Sequence, residues 1–169
     1  MLARLLCLAA LLAVPAHLPA QDDVAPTVAK FKAKDRRVAR AFGDAYGYVV
    51  FPTVGKGAIG IGGARGKGWV YERGRLVGRS TLTQVTIGLQ LGGQAYSEVV
   101  FFKDRAALDD FKRGNFEFDA QVSAIAVTAR AAGDLPYRKG IAVVTMGKGG
   151  LMYEASVGGQ KFSYKPLRR

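Results

Sequence analysis

The feature that most limits the fold of this chain is the distribution of its glycines. All 22 glycines lie between Gly43 and Gly159. Several interrupt runs that otherwise have the composition of strands: Gly60, Gly62, Gly63, Gly88, Gly92 and Gly93. Strand interiors normally exclude glycine because it packs nothing and is entropically costly. We therefore expect strands that bulge, coil sharply or approach another surface closely.

Short β-type runs separated by tight turns fill the chain after residue 45. Tyr46–Phe51 and Glu98–Lys103 are rich in aromatic and β-branched residues, and residues 85–92 alternate with period two. Further strand-like runs are Ala58–Ala64, Trp69–Glu72, Phe116–Thr128, Gly140–Met146, Leu151–Ala155 and Lys161–Tyr164. The pattern predicts an α+β fold, with a strongly bent antiparallel sheet or a small β-barrel, an N-terminal amphipathic helix and one or two short helices.

A short helix is predicted directly after the second of these runs. Asp104 has the side chain of a helix N-cap, and Gly114 is a suitable stop. Between them Ala107, Leu108 and Phe111 form an apolar inner face. This helix is expected to pack on the sheet.

The first twenty residues have the pattern of a bacterial export signal. Arg4 supplies a positive charge, Leu5–Val14 form an apolar run, and cleavage is expected after Ala20. The run is too short to span a bilayer. We therefore predict a signal peptide at 1–20, a linker at 21–27 and a single domain at 28–169, located in the periplasm or secreted.

Residues 21–169 contain neither histidine nor cysteine, because His17 and Cys7 are the only ones in the chain. This excludes disulfides, Cys/His zinc sites and Ser-His-Asp or Cys-His catalysis in that part. The carboxylates left for acid–base chemistry show no spacing that selects a pair; they are Glu72, Glu98, Glu117, Asp119 and Glu154. The sequence therefore predicts no enzyme activity, no catalytic residue, no metal and no cofactor.

The chain is strongly basic. Its formal net charge is +12, and the first twenty residues hold only one charged residue, Arg4. Such a surface attracts phosphates on lipid headgroups, nucleic acid or another polyanion. Nucleic acid is the less favoured partner because no helix-turn-helix or RNP-like signature is present.

A basic amphipathic helix is predicted at the start of the domain, ending near Gly43 or Gly47, with Thr27 as its candidate cap. Its apolar stripe at helical spacing is Val28, Phe31, Val38, Phe42 and Ala45. Its basic residues are Lys30, Lys32, Lys34, Arg36, Arg37 and Arg40. Two interpretations remain open. The stripe packs on the domain with a solvated basic face, or it lies on an anionic membrane with Phe31 and Phe42 facing the lipid.

Three further cations are predicted to lie in glycine-rich turns: Lys56, Arg65 and Lys67. Backbone N–H groups and side-chain charge in such turns can converge on a phosphate, but the same pattern suits ordinary solubilising charge. Gly55–Gly60 fits GxGxxG, yet the residues after Gly60 are strand-like, whereas dinucleotide binding needs a helix there. Nucleotide binding is therefore not expected.

Several blocks of this sequence resemble the SYLF domain family. Its opening signature is similar to Ala45–Pro52 with Gly55-Lys56-Gly57, Gly60–Ala64 and Gly66-Lys67-Gly68. Later blocks resemble Gly88–Gln94, Glu98–Phe102, Phe116 with Phe118 and Ala120, Lys139–Ala142 and Gly149–Leu151. The likeness covers roughly residues 28–166 and is nearest to the exported bacterial branch.

The resemblance implies a non-enzymatic domain that binds anionic or phosphoinositide-type phospholipid. Eukaryotic members use an amphipathic helix at the domain's N-terminus, which corresponds to Lys30–Arg40 here. The actin binding of some eukaryotic members is not expected of an exported bacterial chain. The alternative is a protein-interaction or envelope-structural module.

Overall fold

The computed structural model describes residues 21–59, 61–86, 94–113, 116–117, 134–147, 150–154 and 160–167. After a 3-10 turn at Gln21–Asp23, the helices within these ranges are α1 Val24–Lys34, α2 Arg36–Asp44 and α3 Arg105–Lys112. The strands within them are β1 Gly47–Ile59, β2 Ile61–Glu72, β3 Arg75–Thr86, β4 Gln94–Phe102, β5 Phe116–Glu117, β6 Ile141–Gly147, β7 Gly150–Glu154 and β8 Gln160–Pro166. The predicted strand at 85–92 and the segment 118–128 fall largely outside the described residues.

The described strands form one antiparallel sheet in the order β5-β8-β3-β2-β1-β4-β6-β7. Within the described ranges its outer strands, β5 and β7, pair only with β8 and β6, so the sheet is open. The predicted α+β fold with a strongly bent sheet or small β-barrel is therefore wrong. Most described residues belong to the strands of a single open sheet, and the helices are short.

Two glycines in the stretch where the sequence predicts a turn lie inside a strand, where they make room for neighbouring side chains. A Cβ atom at Gly68 would lie 2.6 Å from the Phe51 ring, and one at Gly66 would lie 2.8 Å from Cγ2 of Val54. Both are strand residues of β2, facing the interior next to β1. They let bulky neighbours fill the core while the strand continues. Gly60, Gly88, Gly92 and Gly93 lie outside the described residues.

Helices α1 and α2 cover one face of the sheet. Phe31 of α1 and Val38 of α2 are fully buried, against a sheet surface that includes Val50, Val99 and Phe101. Burying apolar area of this kind is the main favourable contribution to folding. The helical stripe predicted from the sequence is therefore docked on the sheet.

A break at Asp35 divides the predicted helix in two. Asp35 is extended, at φ −152° and ψ 128°, and its Oδ1 accepts a 2.7 Å hydrogen bond from the backbone N–H of Arg37. It thus caps α2 as a typical N-cap residue does. Thr27, the predicted cap, lies inside α1 instead, and its hydroxyl donates to the carbonyl of Asp23 at 2.7 Å.

Helix α3 covers the opposite face. Asp104 Oδ1 accepts from the N–H of Ala107 at 2.9 Å, which confirms the predicted N-cap. The predicted inner residues Ala107, Leu108 and Phe111 are buried there, which confirms that face of the helix. The sheet is therefore a layer between α1–α2 on one side and α3 on the other.

A buried polar contact connects two strands that are not neighbours. Gln160 of β8 donates from Nε2 to Oε2 of Glu98 of β4 at 3.1 Å, and both residues are fully buried. Strands β3, β2 and β1 lie between β8 and β4 in the sheet. The interior of the protein is thus partly polar at this point, and the Gln160–Glu98 hydrogen bond links the two halves of the sheet.

Candidate functional site

The outer surface of α1 and α2 carries most of the cations predicted from the sequence. Five of them are exposed: Lys30, Lys32, Lys34, Arg36 and Arg40. A helix turns by about 100° per residue, which puts Lys30 and Lys34 on one flank of α1 and Lys32 on the other. The helix therefore presents positive charge on both flanks while its apolar side faces the sheet.

The two aromatic residues proposed for lipid contact have different positions. Phe31 is fully buried between α1 and the sheet, so its ring reaches a bilayer only if the helix leaves the sheet. Phe42 is half-buried, edge-on to Tyr48 at 5.1 Å and to Phe101 at 4.9 Å between ring centroids. The Lys32 ammonium lies 5.4 Å from the Phe42 centroid, at the distance of a cation–π contact.

Arg37 forms an ion pair with the residue that separates the two helices. Its Nη2 lies 2.8 Å from Oδ2 of Asp35, and both side chains are about one-fifth exposed. The same carboxylate caps α2. Replacing Arg37 therefore disturbs the junction between the helices, which makes it unsuitable for testing a surface interaction.

Arg65 and Lys67 lie within strand β2, so their predicted placement in glycine-rich turns is wrong. In the register of the sheet, Arg65 is opposite Thr83 and Lys67 is opposite Thr81. Both cations are exposed, because they alternate with inward-facing Gly66 and neighbouring small residues. Lys56 is a β1 residue paired with Ala64; its side chain lies outside the described part.

Further exposed cations, not singled out from the sequence, lie next to Arg65 and Lys67. Arg79 of β3 is opposite Lys165 of β8, and Thr83 is opposite Lys161. All three of these cations are exposed. The sequence could have indicated these cations, because polar residues alternate with others along residues 79–84 and 161–165. Such alternation is typical of strands that have one face in solvent. We define the basic sheet face as Arg65, Lys67, Arg79 and Lys165 with the hydroxyl residues Thr81, Thr83 and Ser163.

The carboxylates considered for catalysis do not form a pair in the described part of the chain. Glu72 accepts from the Lys112 ammonium at 2.6 Å and from the Tyr46 hydroxyl at 2.9 Å. These two hydrogen bonds lower the pKa of Glu72. Glu98 is buried against Gln160. The side chains of Glu117 and Glu154, and the whole of Asp119, lie outside the described part.

Open clefts adjoin the helices. One, of about 580 Å³, lies between α2 and the 134–137 segment and mixes cations with carboxylates: its charged lining is Arg37, Arg40, Asp44, Lys103 and Asp134. Burial, with smaller contributions from two carboxylates, raises the pKa of Tyr137 in this cleft to about 12. A lining of mixed sign does not select an anionic ligand.

The second cleft, of about 660 Å³, lies between α1 and the sheet. It is lined in part by Val28, Lys32, Tyr48 and Tyr71, and the two tyrosine rings stack with their centroids 5.0 Å apart. Burial raises the pKa of both phenols, so they stay protonated at neutral pH. This cleft brings one α1 flank beside β1 and β2.

No helix in the described ranges has both the length and the apolar character needed to cross a membrane. The same ranges hold no group of three or more His, Cys, Asp or Glu placed to bind a metal ion.

Comparison with known proteins gives one family and one curated relative. Residues 83–165 match the family model of Ysc84, described as "Las17-binding protein actin regulator". Over 124 residues, 72% of this chain, the sequence is 28% identical to Beta cell expansion factor A of Aeromonas veronii. The chain spans about half the length of that relative, since the match covers 46% of it. The match to the family confirms the SYLF resemblance seen in the sequence.

Proposed function

We propose that this chain, whose residues 83–165 match the model of the Ysc84 (SYLF) family, is an exported, non-enzymatic domain that binds anionic phospholipid at a membrane surface. The match supports a lipid- or actin-binding type of domain in general. The choice of anionic lipid rests on the charge of this chain and on the positions of its cations.

The observation that carries the proposal is the set of exposed cations on α1 and α2. Their apolar side is occupied by the sheet, so the helix surface available to a partner is basic on its flanks. Deep insertion of Phe31 would require breaking that packing. The contact is therefore peripheral and electrostatic, with the helix remaining docked.

Charge of this kind is sufficient for useful affinity. A basic residue near an anionic membrane contributes on the order of 1 kcal/mol, and the attraction falls off within a Debye length. Several such residues acting together give strong binding at low salt and weaker binding at high salt. Neutral vesicles lack the attracting charge and should bind weakly.

Co-sedimentation with vesicles tests the proposal. The full chain is mixed with neutral phosphatidylcholine vesicles, or with vesicles that also contain phosphatidylglycerol, at low and moderate salt. Any contribution of the apolar residues 1–20 is common to both vesicle types, so the difference between them reports the charge. Equal binding to both types would contradict the proposal.

A matched pair of variants tests the part played by the helix. Lys30→Glu with Lys34→Glu reverses two exposed charges on one flank of α1, and we expect at least tenfold weaker binding to anionic vesicles. Arg105→Glu with Arg113→Glu makes the same change in net charge at the two ends of α3, on the other side of the sheet, and should change binding little. If both variants lose affinity equally, only net charge matters and the assignment to α1 is wrong.

The alternative is a protein-interaction module, which the description of the family as a Las17-binding protein and actin regulator favours. Binding to a protein partner would saturate and persist in high salt. Failure to bind either kind of vesicle, together with salt-resistant binding to a protein, would favour this alternative.

A further inference from the structure

The basic sheet face is a regular array of polar side chains on three adjacent strands. Its central row is Lys67, Thr81 and Ser163, which are opposite one another on β2, β3 and β8. Neighbouring strands lie about 4.8 Å apart, and alternate residues along a strand about 6.7 Å apart. The array therefore measures about 10 Å by 13 Å.

The array is positive and rich in hydrogen-bond donors. Arg65, Lys67, Arg79 and Lys165 are exposed, and hydroxyl residues lie between them in the same rows. A further exposed cation, Lys161, is opposite Glu117 of the outer strand β5 and is not part of the basic sheet face as defined above. Guanidinium, ammonium and hydroxyl groups together suit phosphate oxygens.

The array lies on the same side of the sheet as α1 and α2. Trp69, two residues after Lys67 along β2, points to that side and is buried in the cluster beneath the helices. Lys67 and Arg65 continue the alternation beyond the cover of the helices and are exposed. The helices and the basic sheet face therefore lie on the same side of the sheet.

We infer that the basic sheet face is a second membrane-contact surface, which binds the phosphates of anionic phospholipid headgroups alongside α1. The inference rests on the proposed function and adds to it a defined surface on β2, β3 and β8. Single-stranded nucleic acid fits this face less well, because proteins that bind it use exposed aromatic platforms. The one aromatic residue on the described rows of this face is Trp69, and it is buried.

Two double reversals test this surface in the full chain. Arg79→Glu with Lys165→Glu replaces two directly opposite cations by two anions, so the two side chains carry like charges both before and after the change. Arg65→Glu with Lys67→Glu likewise replaces two cations by two anions, two residues apart on β2. Each removed cation corresponds to roughly fivefold in affinity for an anionic membrane, so each variant should bind phosphatidylglycerol vesicles at least tenfold more weakly.

The α3 variant, Arg105→Glu with Arg113→Glu, is the matched control, because it changes the net charge equally on the opposite side of the sheet. Its affinity should stay within about twofold of the parent. Circular dichroism and urea titration show whether each variant remains folded.

A label in the array supplies a readout that does not depend on affinity. Ser163→Cys, in a chain with Cys7→Ser, carries an environment-sensitive fluorophore at the β8 end of the central row. Its emission should shift to the blue on anionic vesicles, whereas a label at Ala106→Cys, exposed on α3, should not shift.

The outcomes separate this inference from the proposed function. If the parent does not distinguish anionic from neutral vesicles, both fail. If the parent binds and the α1 variant is weakened, but the sheet variants and the Ser163→Cys label do not differ from their controls, only the second surface fails. If the sheet variants lose affinity for a single-stranded oligonucleotide while keeping that for vesicles, the face binds nucleic acid and the inference is overturned.

Discussion

Phe31→Ala distinguishes a docked helix from one that inserts into lipid. Phe31 is fully buried in the cluster between α1, α2 and the sheet. Replacing it by alanine removes roughly 150 Å² of buried apolar surface, about 4 kcal/mol at 25 cal/mol per Å². Phenylalanine-to-alanine changes in cores typically cost about 3–5 kcal/mol, which agrees. We therefore expect a destabilisation of about 4 kcal/mol.

The chain carries its own probe for this measurement. Trp69 is its single tryptophan and belongs to the same buried cluster as Phe31. Urea titration followed by its fluorescence should show a large fall in the midpoint for Phe31→Ala. Phe31→Leu, which removes less volume, should lie between that variant and the parent and stays measurable if the alanine variant does not fold.

A second residue of the same helix is the control. Ala33 is exposed on α1, and Ala33→Ser should change stability by about 0.5 kcal/mol or less. A Phe31→Ala variant as stable as this control, but with weakened binding to vesicles, would refute the docked helix and restore Phe31 as a lipid contact.

Four further variants test contacts elsewhere, the last of them as a control. Glu72→Gln should cost about 1 kcal/mol at pH 7. Because the native pKa of Glu72 is lowered, its carboxylate stabilises the fold fully above pH 4.5, and this contribution is lost as the pH falls through the native pKa. The variant should therefore lose less stability than the parent when the pH is lowered. The raised pKa of Tyr137, about 12, means that stability is lost as pH rises from 10 to 12, by at most about 3 kcal/mol; Tyr137→Phe should reduce that slope in urea titrations, and an unchanged slope would contradict the assignment. Gly78→Ala should cost about 2 kcal/mol or more, since its Cβ would lie 2.7 Å from the Lys165 carbonyl oxygen. Gly55→Ala, with nothing within 4 Å of the new Cβ, should be neutral or slightly stabilising; equal thermal shifts for the two glycines would argue against this packing.

Local signals in the sequence predicted the elements that depend on local chemistry. Asp104 as N-cap and Leu108 with Phe111 as the inner face of α3 follow from spacing alone, and the structure has them in those roles. The runs Tyr46–Phe51 and Glu98–Lys103 correspond largely to parts of β1 and β4, because aromatic and β-branched residues favour buried strands.

Long-range packing decided what the sequence did not reveal. The glycine-rich stretch that contains Arg65 and Lys67 predicts a turn, but the missing side chains of Gly66 and Gly68 accommodate Val54 and Phe51 of the neighbouring strand. That requirement comes from β1, so no local pattern contains it. For the same reason the sequence predicts a turn at Arg65 and Lys67, and only the register of β2 with β3 shows the array that they form with Arg79.

The cations of the helix were recognised from spacing, yet their roles differ for tertiary reasons. Arg37 is engaged by Asp35 at a helix junction that the continuous stripe did not indicate. Phe31 belongs to the same stripe as Phe42, but only the sheet beneath determines that Phe31 is fully buried and Phe42 is not.

The position of β8 has a consequence for the order in which the protein folds. Strands β1, β2 and β3 follow one another along the chain and pair as neighbours, so they can assemble locally. The outer edge of β3 stays unpaired until β8 adds to it. In the folded sheet Phe162 of β8 is opposite Leu82 of β3, and Gln160 of β8 hydrogen-bonds to Glu98 of β4. Pairing between segments so distant in sequence is slow, and a strand edge left unpaired in the meantime is a template for aggregation. The stage before β8 pairs with β3 is therefore the one at which this chain is most prone to aggregate with other copies of itself.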